Sequence, residues 1–386
     1  MDWDKMASKQ AGSESASLYT GMTIEIFMKS SHYTPKTLSK RLRSWATSDW
    51  WHKLISAVVI VVILLVGIMY AVAEWYIHSQ KGPQQFGVSF IPDYAQSLGV
   101  DPQQTMDALL NIGVKHLRLV SYWSDMEPSP GQYDFSQLDW QFKKAEDAHA
   151  QIILTVGLRQ PRWPECHAPS WVDINAPDSL WQPQLEAFMT QVINRYKGSP
   201  ALQSYQVENE YFLKGFGICT NYDRGRLVSE YNLVKQLDPT HPVIIGRSNN
   251  AIGFPTGQPQ PDEFGISVYK RVWDAGVTHR YIEYPWPGWY YAWLAGAQKI
   301  LTGKNMIIDE LQAEAWTPHG QSIQQTSLAE QNKSLNAQRL KDRFGYGRAT
   351  GMPQIYLWGA EYWYYRDQLL QDPSLWNVAR QEFSNQ

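Results

Sequence analysis

The chain has 386 residues, of which 44% are hydrophobic, 13% aromatic and 18% charged, with 18 Trp, 2 Cys and a formal charge of −3. That apolar content excludes a disordered polar chain, and the slight acidity excludes a surface built to bind nucleic acid. Two cysteines exclude a disulfide-dense scaffold or a four-cysteine zinc site, and no H-E-x-x-H or Cys/His cluster is present, so no metal or cofactor is expected.

Charge divides along the chain. Residues 1–53 hold eight Lys/Arg against five Asp/Glu, a net of +3, which leaves −6 for the remainder. This first stretch, rich in Ser, Thr and Lys without apolar periodicity, reads as a mostly disordered basic tail. Residues 54–73, LISAVVIVVILLVGIMYAVA, carry no charge in 20 positions. As a helix rising about 1.5 Å per residue they span about 30 Å, the thickness of a bilayer core. Trp50 and Trp51 precede the run and Trp75 and Tyr76 follow it, where interfacial rings belong. Lys36, Lys40, Arg41, Arg43 and Lys53 lie on its amino side, so the positive-inside rule predicts a single-pass anchor with a cytoplasmic N-terminus and an extracellular C-terminal domain. Cleavage after Ala71-Val72-Ala73 is the competing reading; the long amino region and long apolar run favour an uncleaved anchor. Residues 74–84 read as a short stalk.

What remains, 85–386, has the size of one (β/α)8 barrel. Strand-type apolar runs recur at Phe86–Ile91, His116–Val120, Gln151–Val156, Ser204–Val207, Pro242–Gly246, Phe264–Tyr269, Met306–Ile308 and Gln354–Trp358. Helix-patterned stretches lie between them, among them Pro102–Ile112, Leu138–Ala148, Gln184–Tyr196, Arg226–Leu237 and Ser327–Tyr346. Eight strands alternating with helices predict a closed parallel α/β barrel behind one transmembrane helix. A doubly wound open sheet is disfavoured, because FGVSFIPDY rather than a Gly-rich phosphate loop follows the first strand.

In a barrel, chemistry sits where strands end at their carboxyl side. The fourth strand ends in Gln206-Val207-Glu208-Asn209-Glu210-Tyr211 and the seventh in Asp309-Glu310-Leu311. Two carboxylates delivered from opposite sides of a barrel mouth can flank one bond, as glycoside hydrolysis requires. YQVENEY resembles the acid/base motif of beta-galactosidase family 35, and YWSDMEPSPGQYDFSQLDW (122–140) resembles the segment after strand two in families 35 and 42. Over nearly all of 86–386 the chain resembles the clan A glycoside hydrolases, which are retaining (β/α)8 enzymes.

The resemblance implies a carbohydrate substrate, with Glu210 as general acid/base and Glu310 as nucleophile. It further implies that Arg118 keeps the nucleophile ionised, that Asn209 hydrogen-bonds a sugar hydroxyl beside the reacting carbon, that Tyr269 orients the nucleophile and that Trp358 floors the sugar subsite. The chemistry asks that Glu210 hold a proton near neutrality while Glu310 stays charged. Glu310 is followed by Leu-Gln-Ala-Glu, without the glycine often found after the nucleophile. Glu314 is therefore the alternative, although Glu310 directly follows the apolar strand.

Aromatics gather after several strands and can stack on sugar faces. Trp123, Trp163, Trp171, Trp316 and Trp363 belong to this set, as do Trp286, Trp289, Tyr290, Tyr291 and Trp293 after strand six; Trp293 is the expected core member among the last. Cys166 and Cys219 fall in neighbouring loops after strands three and four, a placement compatible with a disulfide in an oxidising exterior. A membrane-anchored retaining beta-glycosidase is the reading these features favour. An inactive barrel that binds envelope polysaccharide is the alternative, since one fold hosts many functions.

Overall fold

A computed structural model describes residues 49–211, 213, 217–218, 222–248 and 257–384. The expected basic tail lies outside the described residues up to position 48. Two compact units divide the chain, Met1–Ile68 and Met69–Gln386.

The first described element is helix α1, Trp50–Ser79, 30 residues long. Within the first unit its apolar side chains, from Leu54 through Ile68, are largely exposed. No charged residue interrupts it between Lys53 and Glu74, and its length and hydropathy are sufficient to cross a membrane. The helix runs past the expected span and takes up most of the expected stalk. Ala73 and Tyr76 are fully buried, and Tyr76 Oη donates to the Met306 carbonyl at 3.4 Å. Because apolar side chains continue beyond Ala73 at helical spacing, residues 74–79 form packed helix rather than a tether.

Eight parallel strands close into a barrel: β1 (Gln85–Ser89), β2 (His116–Leu119), β3 (Gln151–Val156), β4 (Leu202–Val207), β5 (Val243–Ser248), β6 (Glu263–Val268), β9 (Asn305–Gln312) and β10 (Gln354–Trp358). Their order around the barrel is β1-β10-β9-β6-β5-β4-β3-β2. All eight coincide with the sequence-predicted runs, because strands buried on both faces are near-continuous in apolar residues. Between β6 and β9 stands a two-stranded antiparallel hairpin, β7 (Arg271–Asp274) and β8 (Arg280–Glu283). Sequence reading missed it, since its faces alternate without an apolar run.

The helices after α1 are α2 (Pro92–Leu98), α3 (Pro102–Asn111), α4 (Trp123–Met126), α5 (Ser136–Asp147), α6 (Asp178–Tyr196), α7 (Arg224–Leu237), α8 (Gly288–Thr302), α9 (Leu328–Ser334), α10 (Ala337–Ala349), α11 (Ala360–Leu369) and α12 (Ser374–Phe383). The stretch expected as one helix over 327–346 is two, α9 and α10, broken where Leu335 is extended and the Asn336 side chain caps the Arg339 amide. One core cluster fills the space between barrel and helices, while Ile153, Ile244, Ile307 and Tyr356 pack against one another as a separate cluster from four barrel strands.

One irregularity positions the mouth. Register shifts occur on both sides of β9: Gly265 pairs with Ile307 but Ser267 with Glu310, and Ile355 pairs with Ile308 but Leu357 with Leu311. The extra residue is a bulge at Asp309-Glu310, which lets two successive carboxyls leave the strand in different directions. Asp309 turns toward glycines on β5 and β6. A Cβ added at Gly265 would meet Asp309 Oδ2 at 2.2 Å, and one at Gly246 would meet it at 2.4 Å. Gly265→Ala is therefore expected to overpack this point, costing about 1–3 kcal/mol. Chemical denaturation should register that loss, whereas an unchanged midpoint would show that Asp309 yields freely.

Candidate active site

At the carboxyl ends of the strands lies a cavity of about 430 Å³, lined by Glu210 from the end of β4 and Glu310 from β9, with Tyr269, Glu165, Arg162, Glu314, Trp163, Trp316 and Trp358 around them. The two expected catalytic carboxyls thus share one cavity with every expected substrate-binding residue except Arg118 and Asn209. Those two stand just beneath it.

Arg118 on β2 is buried and distributes its N–H groups over three strands and the β4 end. Nη1 donates to Glu310 Oε1 at 2.8 Å and to Ser89 Oγ at 3.4 Å, Nε to Gln206 Oε1 at 2.7 Å, and Nη2 to Asn209 Oδ1 at 2.8 Å. The second oxygen of Glu310 accepts from Tyr269 Oη at 2.8 Å. Burial, followed by the charges of Glu310 and Glu210, pushes the Tyr269 hydroxyl well above its ordinary pKa, so it remains a donor. Both oxygens of Glu310 are consequently held, each by a donor fixed on a different strand end.

The β4 end is turned by two residues with left-handed backbone, Glu208 (φ +59°) and Glu210 (φ +42°), a conformation uncommon without glycine. Glu208 faces the loop after β3: its Oε1 accepts from the Leu158 amide at 2.7 Å and from Arg226 Nη1 at 2.9 Å. Burial alone would raise its pKa, but the Arg226 guanidinium more than offsets that and holds the carboxyl low. Glu208 is thus a structural carboxylate, which frees Glu210 to line the cavity.

Glu314 is held differently from Glu310. It accepts Trp358 Nε1 at 2.8 Å and Arg162 Nη2 at 3.1 Å. Arg162 also lies over the rings of Trp358, 4.5 Å from the centroid, and Tyr94, at 3.3 Å. This cluster pins the loop after β9 against β10 and forms one wall of the cavity. Trp163 is 63% exposed at the rim and Trp316 meets the Tyr269 ring edge-on at 5.7 Å.

Sequence reading missed two carboxyls. Glu165, in the loop after β3, lines the cavity, accepts Asn209 Nδ2 at 3.1 Å and lies 3.4 Å from Arg159. Burial outweighs Arg159, and with Glu210 and Glu310 nearby its pKa is pushed up to about 8. Its signal was the run RQPRWPECH, where a carboxyl follows two arginines directly after a strand. Asp309 is fully buried, its oxygens have no hydrogen-bond partner among the described residues, and burial raises its pKa to about 8.

Not all expected aromatics reach the cavity. Trp123 and Trp363 are fully buried, donating to Glu127 and to the Ala313 carbonyl, and Trp171 packs edge-on against Trp123. None of Trp286, Trp289, Tyr290, Tyr291 and Trp293 lines it; four of them lie on α8, and Trp273 of the hairpin and Tyr284 just after it line the cavity instead. Within α8 the buried ring is Tyr291, while Trp293 is only half-buried. Cys166 is disulfide-bonded, and Cys219, its expected partner, lies outside the described residues.

A family model described as beta-galactosidase matches residues 96–184. Among curated proteins, mannan endo-1,4-beta-mannosidase F of Aspergillus fumigatus is 26% identical over 145 residues, 34% of this chain and 32% of that protein. Its Aspergillus clavatus counterpart is 25% identical over 137 residues, so the chain spans about a third of the length of the curated relatives it matches. Of solved structures, the exo-beta-1,4-mannosidase Op5Man5 of an Opitutaceae bacterium superposes with a TM-score of 0.52 at 14% identity, covering 78% of this chain and 60% of that one. Xylanase10C of Cellvibrio japonicus does so with a TM-score of 0.51 at 14% identity, covering 80% and 68%. The chain is a relative of the clan A glycoside hydrolases. Within that clan-type barrel, the matched segment runs from α2 into α6 and includes Arg118, Arg162 and Glu165.

The buried acid beneath the site sets a pH dependence. Asp309 is neutral in the folded chain up to about pH 8, whereas in the unfolded chain it ionises near 4. Between those values the unfolded state alone loses its proton, so this group's contribution to stability falls as pH rises, by at most about 1.4 kcal/mol per pH unit. Asp309→Asn abolishes that titration. The melting temperature of the variant minus that of the parent is expected to climb from pH 5 to pH 8; a flat difference would place the Asp309 carboxyl near its ordinary value.

Proposed function

We propose that the barrel is a retaining beta-glycosidase that cleaves O-glycosidic bonds of an extracellular or envelope polysaccharide or oligosaccharide, with Glu210 as general acid/base and Glu310 as nucleophile. The observation that carries the reading is the clamp on Glu310 by Arg118 and Tyr269, in a cavity that Glu210 also lines. Two fixed donors orient the carboxylate and stabilise its charge while leaving it at the cavity surface.

In the first step a Glu310 oxygen bonds to the anomeric carbon as the glycosidic bond breaks, and Glu210 delivers its proton to the leaving oxygen. In the second, Glu210, now a base, takes a proton from water, whose oxygen displaces Glu310 from the same carbon. Asn209, held through Oδ1 by Arg118 and through Nδ2 by Glu165, retains one N–H for a sugar hydroxyl. Trp163, Trp316, Trp358 and Trp273 supply ring faces for the C–H surfaces of a pyranose. Glu314 is tied to Trp358 and Arg162 in the loop after β9, away from the Arg118 and Tyr269 pair, which supports a wall role for it. Because the curated relatives are named mannanases, beta-mannosides head the substrate panel.

Helix α1 supports a single-pass anchor, and the basic residues before it support a cytoplasmic N-terminus and an extracellular barrel.

The full chain should be tested on aryl beta-glycosides and beta-glycans. Glu310→Gln is expected to abolish turnover of every substrate, and Glu210→Gln to lower kcat by about 10²–10⁴-fold on glycans; on aryl glycosides whose leaving group needs no proton, kcat/KM should be spared while kcat still falls, because the second step lacks its base. Glu314→Gln should lower kcat/KM far less than Glu310→Gln. Proton NMR of the first product should find the beta anomer. An alpha product would mean inversion, and glycan binding without turnover by the parent would leave a binding protein.

A further inference from the structure

The outward face of α8 has a composition unlike the helices around it. On α5 the exposed positions include Lys143 and Asp147, and on α10 they include Gln338, Lys341, Asp342 and Arg348. On α8, whose sequence GWYYAWLAGAQKILT has a single charge, the exposed positions are Ile300 and Leu301 at 59% and 68%. Tyr290, Trp293 and Ala297 are half-exposed on the same stripe, spaced three or four residues apart, with Trp289 half-exposed beside Tyr290 and Trp286 exposed just before the helix. A soluble barrel helix places charge on this face; one apolar on both sides is covered by something other than water.

What covers it is indicated by its neighbour. The last turns of α1 pack along α8 within the unit Met69–Gln386: Tyr70 meets Trp289 edge-on at 6.0 Å, and Lys299 lies 5.9 Å from the Tyr76 ring. Gly296 makes the approach possible, for a Cβ there would meet Val72 Cγ1 at 2.9 Å and Tyr76 Cβ at 3.0 Å. The apolar stripe is therefore continuous with the segment where the proposed anchor leaves the barrel. We propose that the outward face of α8 lies in the interface of the lipid bilayer, so that the barrel rests on the membrane through a second, non-spanning contact. Trp and Tyr rings with a few aliphatic side chains and little charge are the composition such interfacial helices bury, about 5–10 Å deep. The same arrangement explains why these aromatics are absent from the sugar cavity.

This inference rests on α1 being a membrane anchor, and the experiment separates the two. The full chain, carrying a nitroxide at Leu301→Cys or at Gln338→Cys, is reconstituted into phosphatidylcholine/phosphatidylglycerol nanodiscs. The ratio of accessibility to oxygen over accessibility to a water-soluble nickel complex is then measured by electron paramagnetic resonance. A several-fold larger ratio at position 301 than at 338 supports the contact. Equal ratios in incorporated chains overturn it while leaving the anchor intact, and so does dipolar broadening at 301, which would mean that a second copy covers the stripe. Chains that stay out of the discs overturn the anchor and this contact together. Hydrolysis of a soluble aryl glycoside by both labelled chains verifies that the barrel is folded.

Discussion

A buried guanidinium organises the mouth of this barrel. Arg118 binds Ser89, Gln206, Asn209 and Glu310, which come from β1, from β4 and its end, and from β9. Such a cation is costly to desolvate and is tolerable only when its donors are satisfied and a carboxylate balances its charge. Those requirements couple the strand ends: moving any one of them leaves a buried donor unmet. The planar fork of arginine is what allows four acceptors to be served at once, which a lysine could not reproduce.

The other constraint is the bulge in β9. A regular strand alternates its side chains, so Asp309 and Glu310 would face opposite sides and only one could serve the barrel interior or mouth. With an extra residue, Glu310 reaches Arg118 and Tyr269 while Asp309 sits against glycines of β5 and β6. Glycine at 246 and 265 is thus a matter of space, not backbone freedom.

The barrel was legible in the sequence because each strand is a short apolar run and each carboxyl end carries polar residues. Glu210, Glu310, Arg118, Asn209 and Tyr269 could be brought together on paper since strand ends converge in a closed barrel. What remained hidden depends on contacts between distant loops. The hairpin β7–β8 has no core-facing run to mark it, and Glu165 acquires its place only when the loop after β3 folds under Asn209. The aromatics of α8 misled for a physical reason: ring count after a strand says nothing of which face of the next helix they occupy. The end of α1 misled likewise, as apolar composition alone does not separate a span from helix packed on protein.

Besides Glu210, five carboxyls crowd a small volume, and the way each of the five is neutralised bears on the proposed chemistry. Glu310 is paired with Arg118, Glu314 with Arg162 and Glu208 with Arg226. Glu165 and Asp309 instead are kept protonated by burial near neutral pH. Had all five been charged without partners, their mutual repulsion would raise the cost of an ionised nucleophile. Distributing three of them to arginines and leaving two neutral limits the mutual repulsion in the cavity that Glu210 and Glu310 share. It also leaves Glu165 able to donate from the oxygen that Asn209 does not occupy, so the cavity presents a neutral acid where an extra carboxylate would repel the charge on Glu310. The site's electrostatics are thereby tuned by residues other than the two proposed catalytic carboxyls.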